Sequence, residues 1–200
     1  MSAWASIAQK HSSRFKDCAS LIIPRLYLSG LSTATDDELI SKLGVTHVVS
    51  VLDWAPEFPA SIPVPNRLHI NLSDYSTSNI LAHLDTTTEF LKAALEENES
   101  NVVLVHCFQG VSRSATVVCA YLISNVGMTA KESITFVQSK RKIVSPNNGF
   151  RKQLYLYAMR LRDNALLSST VDAEAMEENT KVVDGTQRTP VSLGISSEYP

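Results

Sequence analysis

Residues 101–123 read NVVLVH, then CFQGVSR, then SATVVCAYLI, and that succession constrains the chain more than any other stretch of it. A short, unbroken apolar run bounded by polar residues is the pattern of a strand buried on both faces of a parallel sheet. The run empties into a polar turn containing one glycine, and the turn opens a second apolar stretch long enough to be a helix. Strand, loop and helix in direct succession imply a layered α/β domain, with the loop at the carboxyl end of a central strand.

Such a loop suits an anion. The backbone N–H groups from about Phe108 to Arg113 can point inward at a helix N-terminus, where they have no intrahelical acceptor and the helix dipole adds partial positive charge. Gly110 lets the backbone take a conformation that a side chain would resist, and Arg113 offers a planar, two-pronged donor for two phosphate oxygens. The field that attracts phosphate also favours a thiolate, the nucleophilic form of a cysteine, and Cys107 stands within it. In-line attack on phosphorus would then give a thiophosphoryl enzyme for water to hydrolyse.

The flanking sequence supplies the other elements. Residues 21–28 (LIIPRLYL) read as a strand or strand pair at a sheet edge, interrupted by Pro24. Thr35 is placed to cap a helix through about Leu43, with Asp36, Asp37 and Glu38 at its positive end and Gly44 at its stop. Residues 46–53 read as a buried strand, 56–65 as a proline-rich loop and 67–71 as a short alternating strand. Ile80, Leu84, Leu91 and Leu95 recur at helical spacing over residues 80–98. Thr129 and Glu132 form a capping box for a helix to about Lys140, and Asn147 suits the cap of a last helix bearing Phe150, Leu154, Tyr157 and Leu161 on one face. The fold expected is a three-layer α/β domain over residues 20–163, with helices flanking a mostly parallel or mixed sheet.

An N-terminal segment, residues 1–19, precedes that domain. After it, residues 164–200 hold six acids (Asp172, Glu174, Glu177, Glu178, Asp184, Glu198) against Lys181 and Arg188. They show no sustained periodicity and read as a flexible acidic tail. With 44% hydrophobic and 19% charged residues, the chain as a whole is of globular composition. No apolar run approaches the roughly 18–20 residues that span a bilayer, and the start lacks a secretory layout, which predicts a cytoplasmic or nuclear protein with no membrane partner. A net charge of −2 gives no case for a nucleic-acid partner. Cys18, Cys107 and Cys119 lack disulfide or zinc spacing and read as free thiols, Cys119 as a packing residue. His11, His47, His69 and His83 show no metal spacing, so neither a metal nor a cofactor is expected. Lys140, Arg141 and Lys142 either attract acidic substrates or form a solvated basic surface, and the second reading is favoured because lysine and arginine are ordinarily exposed.

The nonapeptide HCFQGVSRS, residues 106–114, resembles the H-C-x-x-G-x-S-R-S signature of dual-specificity phosphatases, followed by their A-Y-L-I continuation. The resemblance extends to Arg25-Leu26-Tyr27-Leu28-Ser29-Gly30, to the spacing from Asp74 to Asn79 and Ile80, and to Pro146-Asn147-Asn148-Gly149-Phe150 with Gln153 and Leu154, roughly 140 residues in all. It implies Cys107 as nucleophile and Arg113 as phosphate clamp, with Phe108, Gln109, Gly110, Val111 and Ser112 completing the phosphate-binding loop. By position it implies Asp74 as general acid and Ser114 as the hydroxyl that hydrogen-bonds the departing thiolate. His106 would orient the cysteine from behind, and Asn147 would support the site mainly as a helix cap. The substrate implied is a phosphorylated protein, at phosphotyrosine and at phosphoserine or phosphothreonine. Neutral Phe108, Gln109 and Val111 differ from the lysine-bearing loops of phosphoinositide phosphatases, and Ser112-Arg113-Ser114 differs from the Asn-Arg-Thr of RNA triphosphatase relatives. The alternative from another class is a phosphopeptide-binding scaffold; such relatives lose the cysteine or the arginine, and both are present. A small, stand-alone, atypical member is expected, and the sequence assigns it no oligomeric state.

Overall fold

The computed structural model describes residues 19–184, with side chains described through residue 167. Cys18 and residues 185–200 lie outside the described residues. Among the described residues five strands form one sheet in the order β1-β2-β5-β3-β4: β1 is Ser20–Ile23, β2 Leu26–Ser29, β3 His47–Leu52, β4 Arg67–Asn71 and β5 Val103–His106. Only β1 and β2 pair antiparallel; the β2–β5, β5–β3 and β3–β4 pairs are all parallel. The strand that ends at Cys107 is therefore the central one, flanked on both sides, as its unbroken apolar run predicts. Pro24 divides β1 from β2 at the sheet edge, and Arg25 takes the left-handed φ of 67° that closes the turn. The Arg25 guanidinium donates to the carbonyls of Leu95 and Asn98 at 2.9 and 3.0 Å, which places a cation on the negative end of the helix over Leu81–Glu97.

Among the described residues there are six helices, α1 (Leu31–Ala34), α2 (Asp37–Leu43), α3 (Leu81–Glu97), α4 (Arg113–Val126), α5 (Ala130–Lys140) and α6 (Asn148–Asp184), with a 3₁₀ turn at Val64–Asn66. Successive strand residues face opposite sides of the sheet, so Val103 and Val105 join one buried cluster and Leu104 another. The larger cluster packs Leu84, Leu91, Val118, Leu122, Val137, Phe150 and Leu154 against Val49, Val51 and Val105. Across the sheet, Ala34, Ile40, Val45 and Ile62 cover Val48 and Leu104. These are the three layers expected.

Two helix ends differ from expectation. The cap of α2 is Asp36, whose carboxylate accepts from the amides of Glu38 and Leu39 at 3.0 Å each. Thr35 instead donates its hydroxyl to the Leu31 carbonyl at 3.0 Å and closes the preceding turn. Adjacent Thr and Asp are both good caps, and the turn before them decides which one serves. At the other end, α6 runs to Asp184, so residues 164–184 continue the last helix where the lapse in apolar periodicity predicts the start of a flexible tail. Ala165, Leu166, Ala173, Ala175, Met176, Glu177 and Glu178 are good helix formers, and no Gly or Pro intervenes before Gly185. The capping box at Thr129 and Glu132 is present, as is the Asn147 cap, which accepts from the Phe150 amide at 2.9 Å. Among the described residues, no helix is long and apolar enough to cross a membrane.

Candidate active site

The loop between β5 and α4 owes its shape to the groups that take its carbonyls. Leu31 N–H donates to the Phe108 carbonyl at 3.1 Å and Ser145 N–H to the Val111 carbonyl at 2.9 Å. Arg141 donates from Nη2 to the Gln109 carbonyl at 3.2 Å and from Nε to the Gly110 carbonyl at 3.0 Å. Four consecutive carbonyls are thus turned outward. In a planar trans peptide the following N–H points the opposite way, so the amides of Gln109, Gly110, Val111 and Ser112 are left to the inner side, a nest for an anion. Gly110 has φ of +69°, and a Cβ there would collide with the Ser29 carbonyl, so both backbone angle and space require glycine.

Arg141 corrects the sequence reading. It is expected in a solvated basic run, yet it is only 7% exposed, and its guanidinium braces the loop from behind. Burying an arginine costs several kcal/mol unless its donors are satisfied, and the outward carbonyls of Gln109 and Gly110 supply acceptors.

Inside the loop, the Cys107 sulfur is buried and accepts from Gly110 N–H at 3.2 Å and from Ser114 Oγ at 3.1 Å. Arg113, in the first turn of α4, is also buried. Its Nη1 donates to the Leu72 carbonyl at 3.1 Å and lies 3.5 Å from Asp53 Oδ1. Its Nε lies 3.6 Å from Asp74 Oδ2 and is the one buried side-chain polar atom among the described residues without a hydrogen-bond partner. A buried N–H left unpaired costs roughly 1–3 kcal/mol, and an anion in the nest would satisfy it.

Asp74 reaches the loop through its neighbours. Its Oδ1 accepts from Ser112 Oγ at 2.7 Å and from Asn147 Nδ2 at 2.8 Å, and Asn147 N–H donates to Ser112 Oγ at 3.1 Å. Asn147 is therefore both a helix cap and a tether of the Asp74 loop. Gly149 presses on the same loop, because a Cβ there would strike the Ser76 carbonyl. Gln153 completes the hold, accepting from Leu81 N–H at 2.8 Å and donating to the Ser78 carbonyl at 2.9 Å. Gly149→Ala is expected to push the Asp74 loop off its seat and to lower kcat by on the order of 10²-fold, the usual effect of misplacing a group by about 1 Å. Steady-state kinetics of that variant on a phosphothreonyl peptide checks this, and an unchanged kcat counts against it.

His106 stands behind the loop. It shares a hydrogen bond with Ser50 Oγ at 2.5 Å, and its Nδ1 is 3.4 Å from the Cys107 carbonyl. Burial, the dominant cause, pulls its pKa down to about 4 from 6.5. It is neutral near pH 7, so its effect on Cys107 is steric and through the backbone. Between pH 6.5 and about 4 the unfolded chain binds this proton and the folded chain does not, so stability is full above 6.5 and falls with pH across that window. The loss is on the order of 3 kcal/mol at pH 4. Urea unfolding across this range should show that slope, and His106→Asn should lack the component. Cys119 is different again: burial pushes its thiol up to about 12, which suits the packing role expected of it.

The structure thus brings together Cys107, Arg113, Ser114, Asp74, His106, Asn147 and the loop residues 108–112. It adds Asp53, Leu72, Arg141 and Gly149, which sequence reasoning does not assign to the site. Among the described residues no group of His, Cys, Asp and Glu side chains is placed to hold a metal ion.

The model of the "dual specificity phosphatase, catalytic domain" family matches residues 26–160. The tyrosine-protein phosphatase yvh1 of Schizosaccharomyces pombe is 34% identical over 138 residues, covering 69% of this chain and 41% of that protein. Human dual specificity protein phosphatase 16 is 34% identical over 142 residues, 71% of this chain and 21% of that protein. The chain therefore spans less than half the length of these curated relatives. The crystal structure of human DUSP28 is similar with a TM-score of 0.66 at 31% identity, covering 72% of this chain and 95% of that one.

Proposed function

Because the chain belongs to the dual specificity phosphatase family, we propose that it is a cysteine-dependent protein phosphatase that hydrolyses phosphotyrosine and phosphoserine or phosphothreonine, with residues 20–163 as its catalytic domain. The observation that carries this reading is the nest itself: outward carbonyls at 108–111, the Cys107 sulfur within, and the Arg113 Nε buried, beside Asp74 but without a hydrogen bond.

Phosphate oxygens take the loop amides and the free edge of Arg113, which sets phosphorus in line with the sulfur. The Cys107 thiolate attacks, the sulfur–phosphorus bond forms, and the bond to the leaving oxygen breaks. Charge on the transferring group is held by Arg113 and the amides without reorganisation. Asp74 Oδ1 is occupied by Ser112 and Asn147, which leaves Oδ2 to deliver the proton to the leaving oxygen. Water then attacks phosphorus, Asp74 takes its proton, and the thiolate departs toward the Ser114 hydroxyl, already 3.1 Å from it.

The test is turnover of matched phosphotyrosyl and phosphothreonyl peptides by the purified chain, in chelator with a reducing agent. Release of inorganic phosphate from both supports the reading. Binding of either peptide through Arg113 without any turnover overturns it in favour of a phosphate-recognition module.

A further inference from the structure

Two carboxylates touch Arg113, and each is followed in the chain by an exposed aromatic residue. Asp53 lies 3.5 Å from Arg113 Nη1 and precedes Trp54; Asp74 lies 3.6 Å from Nε and precedes Tyr75. Trp54 is 44% exposed and Tyr75 70% exposed, although large aromatic side chains ordinarily bury most of their surface. Trp54 and Phe108 meet in a T-shaped contact, with ring centroids 6.0 Å apart and planes at 73°. Phe108 directly follows Cys107, so this pair stands beside the phosphate nest. Asp53 is itself held by Ser73 Oγ at 3.0 Å, which fixes the start of the loop that carries Trp54.

We propose that Trp54 and Phe108, with Tyr75 on the Asp74 loop, form an aromatic rim that receives the ring of phosphotyrosine, so that the chain favours phosphotyrosyl over phosphoseryl and phosphothreonyl peptides. The proposal rests on the phosphate nest of the function above and adds to it a choice among its substrates. A phosphate seated on the loop amides carries its ester oxygen outward, toward the mouth. In phosphotyrosine the next group is a flat ring that can lie against Trp54 and Phe108 in an offset or edge-on contact. In phosphothreonine it is a short branched carbon that presents no face to an aromatic ring. Trp54 already makes one T-shaped contact to Phe108 and keeps nearly half its surface open, which is the geometry of a rim with room for a third ring. Neutral Gln109 and Val111 put no charge in the loop to oppose an apolar ring.

The experiment measures kcat/KM on two peptides identical except for phosphotyrosine or phosphothreonine, with the full chain, Trp54→Ala, Trp54→Phe and Tyr75→Ala. Calorimetric Kd values for the same peptides on Cys107→Ser, with and without Trp54→Ala, give the selectivity without turnover. The expected result is that Trp54→Ala lowers the phosphotyrosine-to-phosphothreonine ratio roughly three- to tenfold, mostly through KM. Trp54→Phe should recover most of it and Tyr75→Ala, at a largely exposed position, should move it the same way. An unchanged ratio in both alanine variants overturns the rim, even if both absolute rates fall together, because a merely structural Trp54 affects the two substrates alike. If the unmodified chain turns over neither peptide, the phosphatase reading fails, and the calorimetric ratio alone decides the rim.

Discussion

Cys107→Ser is expected to lower turnover by at least about 10⁴-fold on every phosphomonoester, because a serine hydroxyl lacks the thiolate form on which attack depends, while the rest of the nest stays intact. The site predicts that this variant folds. Serine is close to isosteric, and its oxygen can accept the same hydrogen bonds from Gly110 N–H and Ser114 Oγ. Phosphopeptide binding should therefore persist in Cys107→Ser and be lost in Arg113→Ala, since the buried guanidinium supplies the paired donors. Measuring turnover and peptide affinity side by side separates the two roles. Retained turnover in Cys107→Ser, or affinity unaffected in Arg113→Ala, would be inconsistent with the proposed site.

The second large effect concerns proton delivery. Asp74→Asn keeps an oxygen for Ser112 Oγ and Asn147 Nδ2 to donate to, so the loop should stay in place and only the proton is removed. General acid catalysis typically contributes about 10²–10⁴-fold. That full loss is expected for phosphothreonyl peptides, whose alkoxide is a poor leaving group. Para-nitrophenyl phosphate, which departs as a stabilised phenolate, should lose far less. Rates on the two substrates, each relative to the unmodified chain, give the comparison. An equal loss on both would assign Asp74 a structural part in holding Ser112 and Asn147 instead.

Much of this architecture follows from local rules. The unbroken run at 101–106, the polar turn and the apolar stretch after it fix the central strand and the helix behind the loop, and Thr129 with Glu132 fixes the start of α5. Gly110 is legible for the same reason, because the demand for a left-handed angle is local. What escapes a reading along the chain depends on groups that meet only in the fold. Asp53 ends an apolar strand and carries no motif, and its place beside Arg113 comes from β3 lying next to β5. Arg141 sits between two lysines and looks solvated, yet its acceptors are loop carbonyls far back in the sequence. The Asp74 tether is of the same kind: Asn147, Gly149 and Gln153 are legible as the start of a helix, and only packing shows that this helix start also seats the loop over residues 74–78. The course of α6 past Asp163 escapes periodicity for a different reason. Periodicity marks a helix that buries one face, whereas residues 164–184 follow the intrinsic propensity of their alanines, leucines and glutamates.

The central claim is that phosphate passes through the Cys107 sulfur. Its most direct test is a rapid acid quench of the Ser114→Ala variant during turnover of a phosphotyrosyl peptide, with the phosphoryl group located by peptide mass spectrometry. Without the Ser114 hydroxyl beside the departing thiolate, the intermediate should accumulate, and the account predicts one phosphoryl group on the peptide carrying Cys107. A phosphoryl group on any other residue, or steady turnover with no enzyme-bound phosphate that also survives in Cys107→Ser, would contradict it.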